Sequence, residues 1–290
     1  MLEMDFGVNG RGMKMERWVR WLLLLAACIS VAAVMLICGF LVAGGLPVLK
    51  EFGIANFLFG KVWRPEAGEY GILPMILGSA YVTAGAVLTG VPLGVLTAVW
   101  IAYFCPVAWH RHAKGAVNLL AGIPSIVYGF FGLMVLVPLV RRLLGGSGKS
   151  VLTASLLLGI MILPGIISVS ESALRAVPGS YYRGALALGA THEWALFSVV
   201  LPAAHRGIRA GVVLGLGRAV GEATAVAMVA GNQTTMPGGL LRGVRTLTAN
   251  VMMEMGYAQG MHRQALFGTG LVLFLLILLL NVCFRKGDRS

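Results

Sequence analysis

H-R-G-I-R-A-G-V-V-L-G-L-G-R-A-V-G-E-A-T-A-V-A-M-V-A-G-N, His205 to Asn232, is an apolar stretch long enough to cross a bilayer, yet Arg218 and Glu222 stand near its middle. Read as one helix at about 100° per residue, it puts Gly207, Gly211, Gly215, Arg218 and Glu222 on one face, within about 40° of a common direction. Glycines on such a face let a neighbouring helix come close. A charge at mid-bilayer costs roughly 2.5–3.5 kcal/mol before it finds a partner, so the charged pair calls for a purpose. Arginine ahead of glutamate at this spacing is the weaker order for helix support, which makes helix stability a poor one.

The rest of the chain gives that stretch a setting. Of 290 residues, 58% are hydrophobic and only 12% charged, and the mean hydropathy of +0.86 lies far above what a soluble domain needs. This predicts an all-α polytopic membrane protein. The net charge of +12 sits in short Lys/Arg clusters between apolar runs, with no basic stripe and no aromatic platform, which tells against nucleic acid. Cys28, Cys38, Cys105 and Cys283 lie in or beside apolar runs and form no disulfide or metal pattern.

Six spans are expected, at about 21–45, 72–104, 115–140, 151–169, 207–231 and 264–284, following an N-terminal segment 1–20 and preceding a tail 285–290. Arg11, Lys14, Arg17 and Arg20 precede the first apolar run, which continues well past the cleavage-box-like Leu25-Ala26-Ala27-Cys28 and so reads as a helix rather than a signal peptide. Residues 46–70 read as an extramembrane loop with interfacial aromatics, and His110 to Lys114 as a short basic loop. Pro92, Pro124 and Pro164 fall inside spans. Pro124 removes a backbone donor there and demands that neighbours or a cavity satisfy the freed carbonyl.

G-G-S-G-K-S at 145–150 invites a nucleotide-binding reading, but the glycine such a loop needs five residues earlier is Leu143, so the segment reads as a flexible connector. Leu247, Val251 and Met255 recur at helical spacing, as in a short helix lying on the membrane surface. Six spans place both termini on one side. That side holds thirteen Lys and Arg against nine on the other, a weak positive-inside signal for cytoplasmic termini.

On the same side, Tyr181 to Pro202, Y-Y-R-G-A-L-A-L-G-A-T-H-E-W-A-L-F-S-V-V-L-P, reads as a helix broken at Gly189, a second turn, and Pro202 at entry to the next span. A helix-Gly-helix element outside the membrane is a docking surface more often than a site of chemistry. The spacing of Gly189, Val199, Leu201 and Pro202 resembles the EAA loop of ABC importer permeases. With A-G-I-P-S-I-V-Y-G-F-F-G (121–132), R-A-V-G-E (218–222) and M-G-Y-A-Q-G-M-H-R-Q-A-L-F (255–267), the chain is similar to PstC-type permeases of phosphate importers from about residue 50 to its end.

The resemblance implies a type I importer permease with a cytoplasmic coupling loop at 170–206. Arg183, Gly184, Ala185, Gly189, Ala190, Trp194, Leu201 and Pro202 would dock an ATPase, with Arg183-Gly184 standing where the family usually has Glu-Ala. The implied partners are a second homologous permease, two copies of the ATPase, an extracytoplasmic phosphate-binding protein and the lipid of a bacterial inner membrane. With no ATP motif, catalytic triad or metal spacing, the chain is expected to need no cofactor and to be no enzyme.

Arg218 would give a crossing anion a transient foothold, its paired donors suiting phosphate, with Glu222 compensating the charge when the path is empty; the plainer reading is that the two neutralise each other, or pair with the partner permease, as structural glue. Molybdate or sulfate fits the same chemistry. A proton-coupled carrier with Arg218 and Glu222 as a relay is the alternative from another class, against which stand the single membrane charge pair and the docking-type loop.

Overall fold

The structure, a computed structural model, describes residues 10–286, and side chains over 18–283. The expectations for residues 1–9 and 287–290 lie outside the described residues. Helix α1 (Gly10–Phe52) leads into α2 (Ile54–Phe59) and a two-stranded antiparallel hairpin, β1 (Trp63–Arg64) and β2 (Glu69–Tyr70). Next come α3 (Leu73–Val99), a π-turn Trp100–Phe104, α4 (Val107–Gly122), α5 (Ser125–Phe131), a π-turn Gly132–Leu136, α6 (Val137–Leu144) and α7 (Val151–Ala176). Short helices α8 (Gly179–Ala187), α9 (His192–Ala195) and α10 (Leu201–Ala203) precede α11 (His205–Gly221), α12 (Thr224–Val229), α13 (Leu247–Glu254) and α14 (Gly260–Lys286). Five helical stretches are long and apolar enough to cross a membrane, or six if the pair 192–203 and 205–221, bent by 70°, is one span.

Helix α7 is the spine, and its length follows from its ends. Ser150 accepts the Thr153 N–H at 3.3 Å, and the Thr153 hydroxyl donates to the Gly148 carbonyl at 2.6 Å, so the expected flexible connector is a tight, partly buried turn that caps α7. Small residues let neighbours close on this spine. A methyl at Gly90 would meet Ile162 at 2.8 Å from α3, and one at Gly215 would meet Ile166 at 2.9 Å from α11. The glycine face of α11, Gly207, Gly211 and Gly215, is therefore spent on packing against Ala173, Val169 and Ile166 of its own chain.

Three apolar clusters stack along the bundle. One, around Phe57, Ile72 and Leu247, lies at the hairpin end; one, around Leu158, Ile162 and Val229, lies in the middle; and one, around Ile101, Leu174 and Val200, lies under α8 and α9. Helix α1 stays largely exposed between Trp18 and Phe40, touching α14 where Phe40 and Phe267 meet edge to face at 5.2 Å. Its apolar surface suits lipid or another subunit.

Several helix limits differ from those read off the sequence. The run expected at 115–140 breaks at Ile123-Pro124, because proline lacks the N–H and pushes Ile123 to an extended ψ of 126°. The basic stretch His110 to Lys114 is helical within α4. Helix α7 continues to Ala176, past the 169 limit, because Ser170 and Glu171 are buried rather than looped. Leu247 to Glu254 is not a surface helix: Leu247, Ala249, Asn250 and Glu254 are all buried. The largest departure lies at 207–231, where α11 ends at Gly221.

Candidate functional site

At the α8–α9 end, Gly189 holds φ at +90°, a conformation open chiefly to glycine, and turns the chain from α8 into α9. Thr191 caps α9 by accepting the Trp194 N–H at 3.3 Å. The two helices enclose a groove of about 690 Å³ with a mostly apolar lining that includes Gly184, Ala185, Gly189, Ala190, Trp194 and Val199. Of the residues expected to dock a partner, five therefore share one groove. Arg183 is exposed on α8 outside that lining, Leu201 packs against the cluster beneath, and Pro202 is exposed beyond it. Leu188 (91% exposed) and Tyr181, not singled out from sequence, are bare apolar surface on the same rim.

This groove is braced from below. Tyr182 and His192 share a hydrogen bond of 2.5 Å that joins α8 to α9, and His192 meets Phe104 edge to face at 4.7 Å. The Tyr103 hydroxyl donates to the Leu174 carbonyl at 3.2 Å. A push on the groove thus reaches the ends of α3 and α7 through rings and hydrogen bonds rather than through loose chain.

The second part of the site is the break after α11. Glu222 has an extended backbone (φ −73°, ψ 122°) and stands outside the helix, so the shared helical face with Arg218 does not exist. Glycine at 221 weakens the helix, and the Glu222 carboxylate takes up an end group by accepting the Ala225 N–H at 3.0 Å. Its carbonyl accepts the Thr248 hydroxyl at 2.9 Å. Among the described residues no ion pair joins Arg218 to Glu222; Arg218 is exposed on this subunit, while Ala219 beside it is in the core with Ile162.

A similar break faces it across α5 and α12. Pro124 cannot donate to the Leu120 carbonyl, and the Tyr128 hydroxyl does so instead at 2.8 Å. A methyl on Gly129 would press on Met228 at 2.6 Å, which shows how closely the two broken segments pass.

Residues 90–286 match the family model described as binding-protein-dependent transport system inner membrane component. The chain belongs to that family. It is 38% identical over 276 residues to the Probable ABC transporter permease protein YqgH of Bacillus subtilis, covering 91% of this chain and 89% of that one. It is 35% identical over 266 residues to the Phosphate transport system permease protein PstC of Mesorhizobium japonicum, covering 84% and 81%.

Two solved structures share the fold. One is an inward-facing MetNI methionine ABC transporter, with a TM-score of 0.61 at 20% identity, covering 79% of this chain and 98% of that one. The other is a bacterial alginate ABC transporter, with 0.64 at 14% and 96% of each chain. The chain is thus a multi-pass ABC importer permease subunit, a transport component, and the proton-coupled carrier weighed from the sequence gives way to it.

The permease holds two further polar clusters, at its two ends. Near the groove, buried Glu171 accepts from Arg175 Nε at 2.8 Å and lies 3.3 Å from Lys114 Nζ, which ties α7 to α4; Arg175 also donates to the Ile101 carbonyl at 3.4 Å. At the hairpin end, buried Glu254 pairs with Arg245, meets His262 Nε2 at 2.8 Å and accepts from Trp63 Nε1 at 3.0 Å. Glu171 four residues before Arg175 was a readable helical pair. Trp63, 191 residues from Glu254, left no signal in one sequence.

The histidines form no metal site: among the described residues no group of three His, Cys, Asp or Glu could hold an ion. His262 meets the Glu254 carboxylate, and His110 Nε2 accepts from the Arg175 guanidinium at 2.8 Å.

Proposed function

We propose that this permease subunit carries inorganic phosphate across the bacterial cytoplasmic membrane with both termini in the cytoplasm. The observation that carries the substrate is the 35% likeness over 84% of the chain to a protein named as a phosphate transport system permease. Exposed Arg218 beside a helix break supports it chemically. A guanidinium near the end of α11, with no carboxylate paired to it among the described residues, can offer its paired donors to an oxyanion.

In this reading a phosphate-binding protein delivers its cargo at the hairpin end, and a second homologous permease completes the path. Two ATPase copies serve the two permeases, one of them pressing on the α8–α9 groove of this chain, where Trp194 and Leu188 offer apolar anchors. Hydrolysis takes place on the ATPase; this chain moves. Glu222 stands one turn beyond Arg218 and tempers its field, so that phosphate is held briefly and released.

The test is uptake of labelled phosphate in phosphate-starved cells lacking the chain, then given the wild type, Arg218→Ala or Trp194→Ala, with sulfate and molybdate run in parallel. Loss of phosphate uptake alone on deletion, restored by wild type and not by Arg218→Ala at equal protein level, supports the reading. Loss of sulfate or molybdate uptake with phosphate spared overturns the substrate. Trp194→Ala should slow transport and reduce the ATPase retained on purification; full retention and full rate would remove the groove from docking.

A further inference from the structure

The two helix breaks are secured in different ways. At Pro124 the freed Leu120 carbonyl is satisfied by Tyr128, on the next helix of the same segment. At Glu222 the carbonyl is satisfied by Thr248, 26 residues away on α13. The second break, which the Glu222 carboxylate also secures locally through the Ala225 N–H, thus takes one hydrogen bond from outside its own segment.

The donor is itself fixed. Thr248 has one hydroxyl proton, and giving it to Glu222 requires Thr246, 3.0 Å away, to donate to the Thr248 oxygen. The Thr246 oxygen still accepts the Ala249 N–H at 3.2 Å and so caps α13. The Leu247 N–H donates to Ser79 on α3 at 2.9 Å. At the far end of α13, Glu254 is held by Arg245, His262 and Trp63. Helix α13 is a brace anchored at both ends, and Thr248 is where it touches the break, one turn from Arg218.

We propose that Thr248 is a positioning residue for transport: its hydroxyl fixes where the Glu222–Ala223 break lies and hence where the Arg218 guanidinium stands. The inference rests on the reading that Arg218 lies on the phosphate path. Without the hydroxyl, the Glu222 carbonyl seeks another donor, the end of α11 shifts, and the guanidinium is displaced. The half-saturation concentration, set at delivery, is left alone, and the rate of passage falls.

The experiment measures phosphate uptake in cells carrying the whole transporter, at matched amounts of this chain. Thr248→Val keeps the shape without the hydroxyl and should lower the maximal rate roughly three- to tenfold with half-saturation unchanged. Thr248→Ser keeps the hydroxyl and should restore the rate to within about twofold. In an Arg218→Lys background, which keeps charge and loses the fork, Thr248→Val should cost less than about twofold more, because the two act on one feature.

Equal loss from Thr248→Val in both backgrounds overturns the proposal while leaving the path reading intact. So does a serine variant as slow as the valine one. Wild-type uptake by Arg218→Ala overturns the path reading, and this proposal with it. Should the valine variant accumulate poorly, Thr248→Cys replaces it, a weaker donor of similar size, and must fall below Thr248→Ser for the proposal to stand.

Discussion

Glu171 and Glu254 are buried carboxylates at opposite ends of the bundle, Glu171 set against Lys114 and Arg175 and Glu254 against Arg245, His262 and Trp63. The cations around Glu171 are half open, Lys114 at 50% and Arg175 at 46% side-chain exposure, whereas Arg245 beside Glu254 is at 13%. A cation with a route to water loses little when its carboxylate goes, because its long stem lets the head turn outward. Arg245 is more enclosed and has less of one, although Glu254 and His262 line a cavity of about 530 Å³ at that end. The cluster next to the α8–α9 groove is thus the more open to water and the one at the hairpin end the more enclosed.

The largest effect is expected at Glu254. Glu254→Ala strands Arg245 and leaves the Trp63 indole N–H without its acceptor, so the permease should lose about 3–5 kcal/mol of stability. Thermal unfolding of the purified complex in detergent reads this, as a large drop in midpoint or failure to accumulate. Glu171→Ala should cost only about 1 kcal/mol, and that loss should shrink as salt is raised, since its cations are already partly screened. Equal losses at the two sites would abolish the distinction between a more enclosed and a more open cluster.

How much of this could be read from the chain alone follows the range of the interactions. The long apolar helices, the turn at Gly189 and the demand Pro124 makes on its neighbours are local, set by composition, one glycine and one missing N–H. The partner that meets that demand, Tyr128, lies only eight residues from Leu120 but on the far side of a break that a continuous helix reading removes. Glu222 was misplaced for the same reason. Gly221 is a weak stop by itself, and what makes the break tolerable is Thr248, whose hydroxyl enters from a segment the helical spacing assigned to the membrane surface. Glu254 draws on residues 8, 9 and 191 positions away, so a single sequence leaves only the nearer two within reach.

The smallest expected effect is at Tyr70, at the hairpin end. Tyr70 is buried edge to face against Trp63 at 5.8 Å and Phe52 at 5.3 Å. Burial, and secondarily the negative charge of Glu51, raises its phenol above the ordinary value near 10. An acid whose folded pKa is raised keeps its proton longer in the native state than in the unfolded one. The unfolded state then binds fewer protons as pH climbs past 10, and stability present below that pH is lost as pH rises toward the folded value. Tyr70→Phe keeps the ring and removes the ionisation, so it should leave the midpoint near pH 7 almost unchanged and lessen the fall above pH 10. A phenolate absorbance for Tyr70 appearing below pH 10 in the wild type, found by subtracting the Tyr70→Phe titration, would mean that water reaches the Tyr70 ring despite its packing against Trp63 and Phe52.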